Sequence, residues 1–347
     1  MARPRAVIVG AGALGLGFLA ERLAGDYDLC LADLASRAPL LRRIAAEGGF
    51  AVNVCHADRL EVRGVRGSFT TATIGGSSGD GPLDAALAQA DLVLTAAGGR
   101  ALPDVVRVLA PILNARRRRV WLLFCENGRD IAARHGSAFA ASVTTVETVM
   151  SRMCRFADPE ESGYAPLWPD YEERLVAESY SYLPLDRAHC EGGPFSRAFD
   201  LVESREFRMW EDMKLFLHNG MHAFMSYHAY LEGTRRFPEI PAPIRAEARR
   251  VMREELVPAI LFHHPWAGRE RIEAYALGLL DRFVDPRFND SIARGVRGVE
   301  EKLAPGERLL AGRDYIREAG IEPRGYTTTI DAARRIILSR SPPAGPG

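Results

Sequence analysis

The stretch of sequence that decides the fold is AVIVGAGALGLG, at residues 6–17. Its first four residues form an apolar run typical of a strand buried in a parallel sheet. Gly10, Gly12 and Gly15 follow at the spacing G-x-G-x-x-G, and a helical pattern begins at Phe18. In such a turn the first glycine allows the tight bend, the second lets a pyrophosphate approach the backbone, and the third lets helix and strand pack closely. The order of strand, glycine turn and helix therefore predicts a dinucleotide-binding βαβ unit.

A second strand, at residues 27–32, ends at Asp33. An acidic side chain at this distance from the glycine turn accepts hydrogen bonds from both ribose hydroxyls and repels a 2′-phosphate, so it favours NAD over NADP. Arg37 lies close enough in sequence to leave NADP open as the alternative. A glycine turn that binds no ligand is the simpler interpretation, but it does not account for the strand, the helix and Asp33 in this order.

Two later strands end in residues that suit the nicotinamide end of the cofactor. Residues 91–94 form a buried strand that runs into a loop of small residues, and residues 120–125 form another that ends at Glu126 and Asn127. In open α/β sheets the ligand binds outside the carboxyl ends of the strands. The residues that we expect to bind the cofactor are Gly10, Gly12, Ala13, Leu14, Gly15, Asp33, Thr95, Ala96, Glu126 and Asn127.

The pattern changes along the chain from strands to helices. Residues 51–54 and 60–65 alternate in the way of a small exposed sheet, and a Gly-Gly-Pro turn at residues 192–194 marks a boundary between domains. We predict an α/β fold, with an N-terminal Rossmann-like doubly wound sheet in residues 1–193 and a mostly α-helical C-terminal domain in residues 194–347.

Composition speaks against several classes of protein. The chain has 347 residues, zero formal net charge and 26% charged residues, so no polyanionic partner or membrane surface is indicated. Its one strong basic cluster, Arg116–Arg119, precedes an apolar segment, as a solvated helix end does. The five cysteines are widely spaced and include no Cys-x-x-Cys pair, which speaks against a zinc site or a disulfide framework. We therefore expect a cytoplasmic protein that binds a small molecule and no metal, nucleic acid or membrane.

Only two of the 45 basic residues are lysines, Lys214 and Lys302. Arginine stays protonated in proteins, whereas a desolvated lysine can lose its proton near neutral pH and act as a general base. A chain that otherwise uses arginine throughout has reason to keep lysine where this chemistry is needed. An accident of composition is the alternative, and for Lys302 taken alone it is the better interpretation.

Lys214 lies in a predicted helix at residues 211–232. At about 100° per residue, His222 lies about 80° and Asn219 about 140° from Lys214, so the three polar groups share one side of the helix. The other positions of this helix are largely apolar, and desolvation there is expected to lower the pKa of Lys214. His218 fits a structural role better than a catalytic one.

The motif Lys214-x4-Asn219-x2-His222 resembles the signature of the polyol-specific long-chain dehydrogenases, the mannitol dehydrogenase family, and within it the branch of mannitol-1-phosphate 5-dehydrogenases. The glycine turn, the strand end at residues 125–127 and the segment 282–309 agree with the family in the same order. The resemblance covers nearly the whole chain. Its Lys/Asn/His motif is specific, whereas the glycine turn is shared by many unrelated enzymes.

The resemblance implies an NAD-dependent, metal-independent dehydrogenase that interconverts a polyol, or its phosphate, and a ketose, or its phosphate. In that scheme Lys214 takes the hydroxyl proton as hydride leaves for NAD, and Asn219 and His222 hold the substrate oxygen. The residues that the resemblance assigns to the substrate are Lys302, Arg297 and Arg294, with Arg308 as a further candidate for binding a phosphate. Several members of the family function as monomers, which favours a monomer or a weak homo-oligomer.

Two departures from the family leave the substrate open. Residues 150–153, Met-Ser-Arg-Met, stand where the family has a Val-Asp-Arg-Ile-like segment, and Met213 stands where it has an arginine before the lysine. The main alternative is a redox-neutral epimerase or isomerase with tightly bound NAD, which would show no net NADH turnover. A non-catalytic NAD sensor, or a dehydrogenase of another family with a helical second domain, accounts less well for Lys214, Asn219 and His222 together.

Overall fold

The computed structural model describes residues 3–75 and 81–340. The chain divides into two compact units, Met1–Phe207 and Arg208–Gly347. The first is an α/β unit and the second is helical, as predicted. No helix within the described ranges is long and apolar enough to cross a membrane.

We expected the boundary after residue 193, but the chain divides later, after Phe207. The intervening residues stay with the first unit because its N-terminal part holds them. The N–H of Ser196 donates to the hydroxyl of Tyr27 at 3.0 Å, and Arg22 forms an ion pair with Asp200 at 2.7 Å. These partners lie far apart in sequence, so the local turn pattern does not reveal them.

The described residues of the first unit form twelve strands with short helices between them. In chain order the strands are β1 (Arg5–Val9), β2 (Asp28–Leu34), β3 (Gly49–Cys55), β4 (Leu60–Arg66), β5 (Ser68–Ile74), β6 (Leu92–Thr95), β7 (Val120–Phe124), β8 (Val143–Glu147), β9 (Cys154–Phe156), β10 (Leu175–Glu178), β11 (Pro184–Asp186) and β12 (Asp200–Val202). The helices are a π-helical turn (Gly15–Ala20), α1 (Glu21–Leu23), α2 (Ala38–Glu47), α3 (Pro82–Gln89), α4 (Leu102–Asn114) and α5 (Ile131–His135), with 3₁₀ turns at Ala35–Arg37, Gly136–Ala138 and Arg187–His189.

Six of these strands form the central sheet in the order β5-β2-β1-β6-β7-β8, and every neighbouring pair is parallel. This is the strand order of a doubly wound dinucleotide-binding sheet, which reverses between β1 and β6. The predicted Rossmann-like sheet is confirmed, and β5 and β8 are two strands of it that the sequence patterns did not reveal. The reversal places the loop after β1, which begins at Gly10, beside the loop after β6.

Alternate residues of β1 lie on opposite faces of the sheet and pack in different hydrophobic cores. Ala6 and Ile8 pack with the leucines of the helix that follows the glycine turn. Val7 and Val9 pack on the opposite face, with leucines of α3 and α4. Because both faces of the sheet are covered, its inner strands are continuous apolar runs rather than alternating ones.

A second sheet of the first unit has the order β4-β3-β10-β9. We expected residues 51–54 and 60–65 to form a small exposed sheet, and this is right only for most of β4. Strand β3 is covered instead: β10 pairs with its edge in parallel, with Asn53 opposite Val176, and its side chains pack in the core of the unit. Both valines of β3 are therefore fully buried.

The second unit is a packed array of helices. These are α6 (Ser204–Asp212), a π-helical segment (Met213–Gly220), α7 (Met221–Leu231), a 3₁₀ turn (Phe237–Glu239), α8 (Ala242–Val251), a second π-helical segment (Met252–Leu256), α9 (Val257–His263), α10 (Arg269–Phe283), α11 (Ile292–Gly295), α12 (Val299–Lys302), α13 (Leu310–Glu318) and α14 (Arg324–Arg340). An isolated β-bridge joins Arg236 and Ser291.

The helix that carries the predicted catalytic motif differs from the expected one. It runs without a break through α6, the first π-helical segment and α7, so it begins at Ser204 rather than at residue 211. It ends at Leu231, shortly before Gly233, which has a φ of 76°. Eight of its residues are π-helical, which hydrophobic periodicity did not predict. Helix α7 packs against α8, α11 and α14, which fixes the helix inside the unit.

Candidate active site

The glycine turn of the first unit has the geometry that phosphate binding needs. Gly10 has a φ of 101°, and a Cβ there would lie 2.5 Å from the carbonyl carbon of Ala96, so only glycine fits. A Cβ on Gly15 would overlap the carbonyl oxygen of Gly10. At Gly12, by contrast, a Cβ would meet no atom within 4 Å. The backbone at Gly12 therefore borders open space that a pyrophosphate can occupy.

Ala13 and Leu14 open the helix that follows this turn, and the π-helical turn Gly15–Ala20 continues it. The N–H of Leu16 donates to the carbonyl of Gly12 at 2.9 Å. The first N–H groups of a helix have no partners within the helix, so they are available to an anion. The start of this helix thus combines free donors with the open space at Gly12.

Asp33 lies at the carboxyl end of β2, where its Oδ1 accepts the N–H of Leu34 at 2.7 Å. Arg37, the residue that left NADP open, donates to both carboxylate oxygens of Glu173 at 2.7 and 3.1 Å. Its guanidinium also lies 5.0 Å from the ring centroid of Phe156. The charge of Arg37 is therefore neutralised, and its donors are directed at Glu173.

Glu126 joins the ends of β6 and β7. Its carboxylate accepts the hydroxyl of Thr95 at 2.6 Å and the N–H of Ala97 at 3.2 Å. The side chain is buried, and burial raises the pKa of Glu126. Glu126 thus shapes the loop after β6, which lies against Gly10, whereas the neighbouring Asn127 is exposed.

Arg152 is a buried residue of the first unit that sequence reasoning did not assign. Its guanidinium donates to the carbonyls of Glu178 at 2.6 Å and Gly17 at 3.0 Å, and to the carboxylate of Glu21 at 2.8 Å. It therefore ties the helix after the glycine turn to β10. The neighbouring Ser151, which stands where the resembled family has aspartate, donates its hydroxyl to a backbone carbonyl. An arginine in the otherwise uncharged stretch of residues 148–154 was the one signal in the sequence.

The three residues of the predicted catalytic motif lie on one continuous helix of the second unit. Lys214 and Asn219 belong to the π-helical segment, in which hydrogen bonds run from residue i to residue i+5. Because the helix is wider there, side chains five positions apart lie closer together around its axis than the ~140° of α-helical pitch. His222 follows Asn219 by three positions in α7, a spacing that also places neighbours on one face.

The imidazole of His222 lies against aromatic rings and a buried acid. It stacks on Phe237 with 4.6 Å between ring centroids, and the edge of Phe283 lies 5.3 Å away. Its Nε2 lies 3.3 Å from Oδ2 of Asp290. Burial lowers the pKa of His222, and the hydrogen bond to Asp290 offsets this only in part. His222 is therefore neutral at neutral pH.

Asp290 is 2% exposed and is held by Arg294. Arg294 donates through Nε at 2.8 Å and through a terminal nitrogen at 2.7 Å, and the N–H of Ser291 adds a third bond at 2.8 Å. Burial by itself raises the pKa of Asp290, but the charge of Arg294 and the hydrogen bond with His222 outweigh it and hold that pKa below its usual range. Because its forked donors point at Asp290, Arg294 acts on His222 through Asp290, and its contact with the substrate stays a prediction.

Lys302 donates from Nζ to the carbonyl of Gly295 at 2.6 Å. Burial, followed by the nearby charge of Arg308, lowers the pKa of Lys302 to about 8. The other two arginines considered for the substrate differ in environment. Arg297 is exposed, whereas Arg308 is partly buried and has its nearest acid, Glu307, at 3.8 Å. Lys302 is thus a cation that titrates within the working range of pH.

Two further polar groups flank the π-helical segment. His218 is 3% exposed and lies edge-on to Phe283 at 5.4 Å, and burial lowers its pKa well below the ordinary value. It is a neutral core histidine, in keeping with the structural role expected for it. Asp212, the last residue before the segment, lies 2.8 Å from Nε2 of His264, and both side chains are buried. This pair was not foreseen from the sequence, because its members lie on different helices.

Among the described residues, no three His, Cys, Asp or Glu side chains are grouped in a way that could hold a metal ion.

Comparisons with known proteins agree with this description. Residues 206–335 match the family model for the mannitol dehydrogenase C-terminal domain. The mannitol-1-phosphate 5-dehydrogenase of Arthrobacter sp. (strain FB24) is 27% identical over 342 residues, which cover 95% of this chain and 86% of that protein. The mannitol-1-phosphate 5-dehydrogenase of Shouchella clausii (strain KSM-K16) is 26% identical over 354 residues, which cover 97% of this chain and 90% of that protein.

A solved structure with the same fold is a ternary complex of Pseudomonas fluorescens mannitol 2-dehydrogenase with NAD and D-mannitol. It superposes with a TM-score of 0.66 at 15% identity, over 96% of this chain and 78% of that chain. At this identity the likeness speaks to the fold alone.

Proposed function

We propose that this chain is a member of the mannitol dehydrogenase family, and that it is an NAD-dependent, metal-independent dehydrogenase that interconverts a polyol, or its phosphate, and the corresponding ketose. The family match covers the helical unit, and two relatives that share most of its length are named mannitol-1-phosphate 5-dehydrogenases. A reaction of that name oxidises a secondary alcohol. A polyol phosphate is accordingly the first substrate to test.

The observation that supports the proposal is that Lys214, Asn219 and His222 belong to a single continuous helix, at spacings that bring them towards one side of it. A lysine amine among apolar neighbours can remove the proton of the substrate hydroxyl near neutral pH. The amide N–H of Asn219 can donate to the same oxygen as negative charge develops on it. Together these groups perform the proton transfer and hold the oxygen in one position.

His222 contributes through its neutral imidazole. We assign its Nε2–H to Asp290, because the carboxylate can only accept and lies 3.3 Å away. The hydroxyl of Ser226, 3.5 Å from Nδ1, donates to the carbonyl of His222 itself. The lone pair of Nδ1 is therefore left to accept a hydrogen bond from a substrate hydroxyl, while Asn219 is the donor to the reacting oxygen.

The first unit supplies the cofactor site. NAD, when bound, accepts the hydride from the carbon that carries the reacting oxygen. The open backbone at Gly12 and the helix start at Ala13 and Leu14 suit its pyrophosphate, and Asp33 suits the ribose hydroxyls. The engagement of Arg37 by Glu173 supports NAD over NADP.

Lys302 is the strongest candidate for holding the rest of the substrate. Its ammonium is predominantly charged below about pH 8 and lies on the same unit as the catalytic helix. Arg297 and Arg308 remain candidates for a phosphate, as does Arg294, whose Nε and one terminal nitrogen donate to Asp290. A polyol phosphate would therefore differ from the free polyol chiefly in binding its phosphate to one or more of these cations.

The direct test is NADH oxidation by the purified protein with ketose phosphates, ketoses and keto-uronates, and NAD reduction with the matching polyols, in the presence of EDTA. Lys214→Ala removes the base, and Lys214→Arg keeps the charge but cannot accept a proton at neutral pH. We expect turnover in the parent and a loss of about 10²- to 10⁴-fold in both variants.

Activity that survives in either lysine variant would overturn the role of Lys214. An inactive parent that purifies with bound NAD and converts one sugar epimer into another would replace the proposal with a redox-neutral enzyme. Activity abolished by EDTA and restored by zinc would contradict the metal-independent scheme.

A further inference from the structure

Tyr326 lies at the start of α14 and reaches the π-helical segment that carries Lys214 and Asn219. Its hydroxyl donates to the backbone carbonyl of Phe216, in the middle of that segment, at 2.6 Å. The side chain is 2% exposed, and burial raises its pKa. The hydroxyl therefore keeps its proton, and remains a donor, over the whole pH range in which the enzyme can be assayed.

Gly220, the last residue of the segment, makes room for this hydroxyl. A Cβ on Gly220 would overlap the hydroxyl oxygen of Tyr326. On the other side of the ring, a Cβ on Gly312 would overlap Cε1 of Tyr326. Gly278 in α10 is different, because a Cβ there would meet nothing within 4 Å. The glycines at 220 and 312 thus form a slot that fits this one phenol ring.

The ring is itself anchored from the second π-helical segment. Both carboxylate oxygens of Glu255 accept the N–H of Gly325 at 3.0 Å, so a buried acid fixes the start of α14. A Cβ on Gly325 would overlap the side chain of Val251, so α14 approaches α8 as closely as glycine allows. The position of Tyr326 is therefore set from its own helix as well as from the slot.

A side chain that inserts beside the backbone ladder is one of the few physical causes of departure from α-helical geometry. In this helix the inserted group is the hydroxyl of Tyr326. At the end of the segment, the N–H of Met221 donates to the carbonyls of His218 and Leu217. The carbonyl of Phe216 instead accepts the hydrogen bond from the hydroxyl of Tyr326. The departure coincides with the residues whose alignment the proposed reaction needs.

We propose that Tyr326 is a positioning residue for the reaction: its hydroxyl, seated in the space left by Gly220, holds Met213–Gly220 in the π-helical form that brings Lys214 and Asn219 closer together around the helix axis. The inference rests on the proposed function of those two residues. Without the hydroxyl, the segment relaxes towards α-helical pitch, at which the two side chains lie about 140° apart. The amine and the amide then no longer meet at one oxygen.

Tyr326→Phe is the variant that tests this, because it keeps the ring in its slot and removes only the hydrogen bond. We expect kcat to fall about 10- to 100-fold, as misplacement of a catalytic group does, with the affinity for NADH unchanged. The basic limb of the kcat–pH profile should also move, because the surroundings of the Lys214 amine change. Tyr227→Phe is the matched control, since Tyr227 is fully buried and its hydroxyl has no hydrogen-bond partner among the described residues.

Gly220→Ala tests the same contact from the other side. It should lower kcat and stability together, because the added methyl displaces the hydroxyl. The double variant Gly220→Ala/Tyr326→Phe should recover part of the stability but not kcat, since the closest overlap, with the hydroxyl oxygen, is removed and the hydrogen bond is still missing. Gly278→Ala serves as the control for adding a methyl group to a helical glycine.

A readout independent of activity is available because the chain contains only two lysines. In protein labelled with [¹³C]lysine, the two Cε signals can be assigned with Lys302→Arg and titrated by NMR. We expect Tyr326→Phe to change the chemical shift and titration midpoint of the Lys214 signal and to leave those of Lys302 unchanged. Wild-type behaviour of the Lys214 signal and of kcat in Tyr326→Phe would overturn the inference.

The two proposals can fail separately. A parent protein without dehydrogenase activity, in which Tyr326→Phe still shifts the Lys214 signal, would overturn the proposed function and uphold the positioning role. An active parent whose Lys214 signal and kcat do not respond to Tyr326→Phe would uphold the proposed function and overturn the positioning role.

Discussion

His222 and Asp290 lie 3.3 Å apart, and the same carboxylate takes the forked donors of Arg294. The acid is almost fully buried, while the arginine is 31% exposed. The ion pair thus extends from the surface of the second unit to the imidazole, and it sets the orientation of a ring that carries no charge of its own at neutral pH.

Asp290→Asn should disturb both the ring and the fold. The amide keeps the size of the side chain but leaves Arg294 without its counter-charge and can donate to the imidazole where the carboxylate could only accept. We expect a loss of stability of about 2 kcal/mol, below the cost for a fully buried pair because Arg294 is partly solvated. Urea unfolding measures it, together with kcat. Asp281→Asn is the control, as its exposed carboxylate pairs with Arg249 at the surface; equal losses in the two variants would contradict the argument.

Lys302 should make substrate binding depend on pH. Its pKa of about 8 means that the ammonium loses its charge within the assay range, whereas an arginine would keep it. We expect KM for the polyol phosphate to rise in the parent enzyme as the pH passes about 8. In Lys302→Arg the same KM should not rise as the pH passes that value. Steady-state kinetics between pH 6.5 and 9.5, at roughly saturating NAD, give the two profiles. Parallel profiles would show that Lys302 does not meet the substrate.

The pairing of Arg37 with Glu173 should influence the choice of cofactor. Glu173→Gln removes the counter-charge and leaves the guanidinium beside the ribose end of the site, where it can meet a 2′-phosphate. We expect the ratio of NADPH to NADH affinity to rise about tenfold, measured by fluorescence titration. Asp170→Asn is the matched control, because it frees Arg43 from a similar surface pair on the same loop. If both variants changed the ratio equally, net charge rather than Arg37 would be the cause.

Glu126 should make the free energy of unfolding depend on pH. Burial raises its pKa in the folded state, so the folded state binds this proton more tightly than the unfolded chain does. The contribution of Glu126 to stability therefore falls as the pH rises from about 4.5, the ordinary value, through its raised folded-state pKa. Glu126→Gln should flatten the stability profile in that window, as measured by urea unfolding at a series of pH values.

The control for this measurement is Glu61, whose pKa is lowered to about 2, chiefly by the hydrogen bond from Arg63. Its contribution is lost as the pH falls below about 4.5, so Glu61→Gln should leave the slope above that pH unchanged. A slope that persists in Glu126→Gln would mean that another buried acid is responsible.

The parts of the molecule that could be predicted from the sequence are those determined by residues close together in the chain. The glycine turn, Asp33 and the strand end at Glu126 each follow a strand by a fixed short spacing, so chain order alone places them at one edge of the sheet. The α/β class and the helical second unit followed from periodicity in the same way.

What sequence missed depends on contacts between distant segments. We attribute the π-helical form of Met213–Gly220 to a contact with the hydroxyl of Tyr326, which lies 110 residues along the chain from its acceptor, Phe216. The pairing of Arg294 with Asp290 was equally hidden, because an arginine near a substrate motif suggests a phosphate ligand until its partner is known. Arg152 was passed over for a similar reason, since its three acceptors lie in Gly17, Glu21 and Glu178.

The parallel pairing of β3 with β10 has a consequence for how the protein folds during its synthesis on the ribosome. Asn53 cannot pair with Val176 until the ribosome has synthesised the whole of the intervening chain. The contacts of Tyr27 with Ser196 and of Arg22 with Asp200 form later still, because their partners lie further along the chain. High contact order of this kind slows folding and leaves an early segment exposed to chaperones while synthesis continues. The glycine turn is therefore synthesised well before the segments that complete its unit.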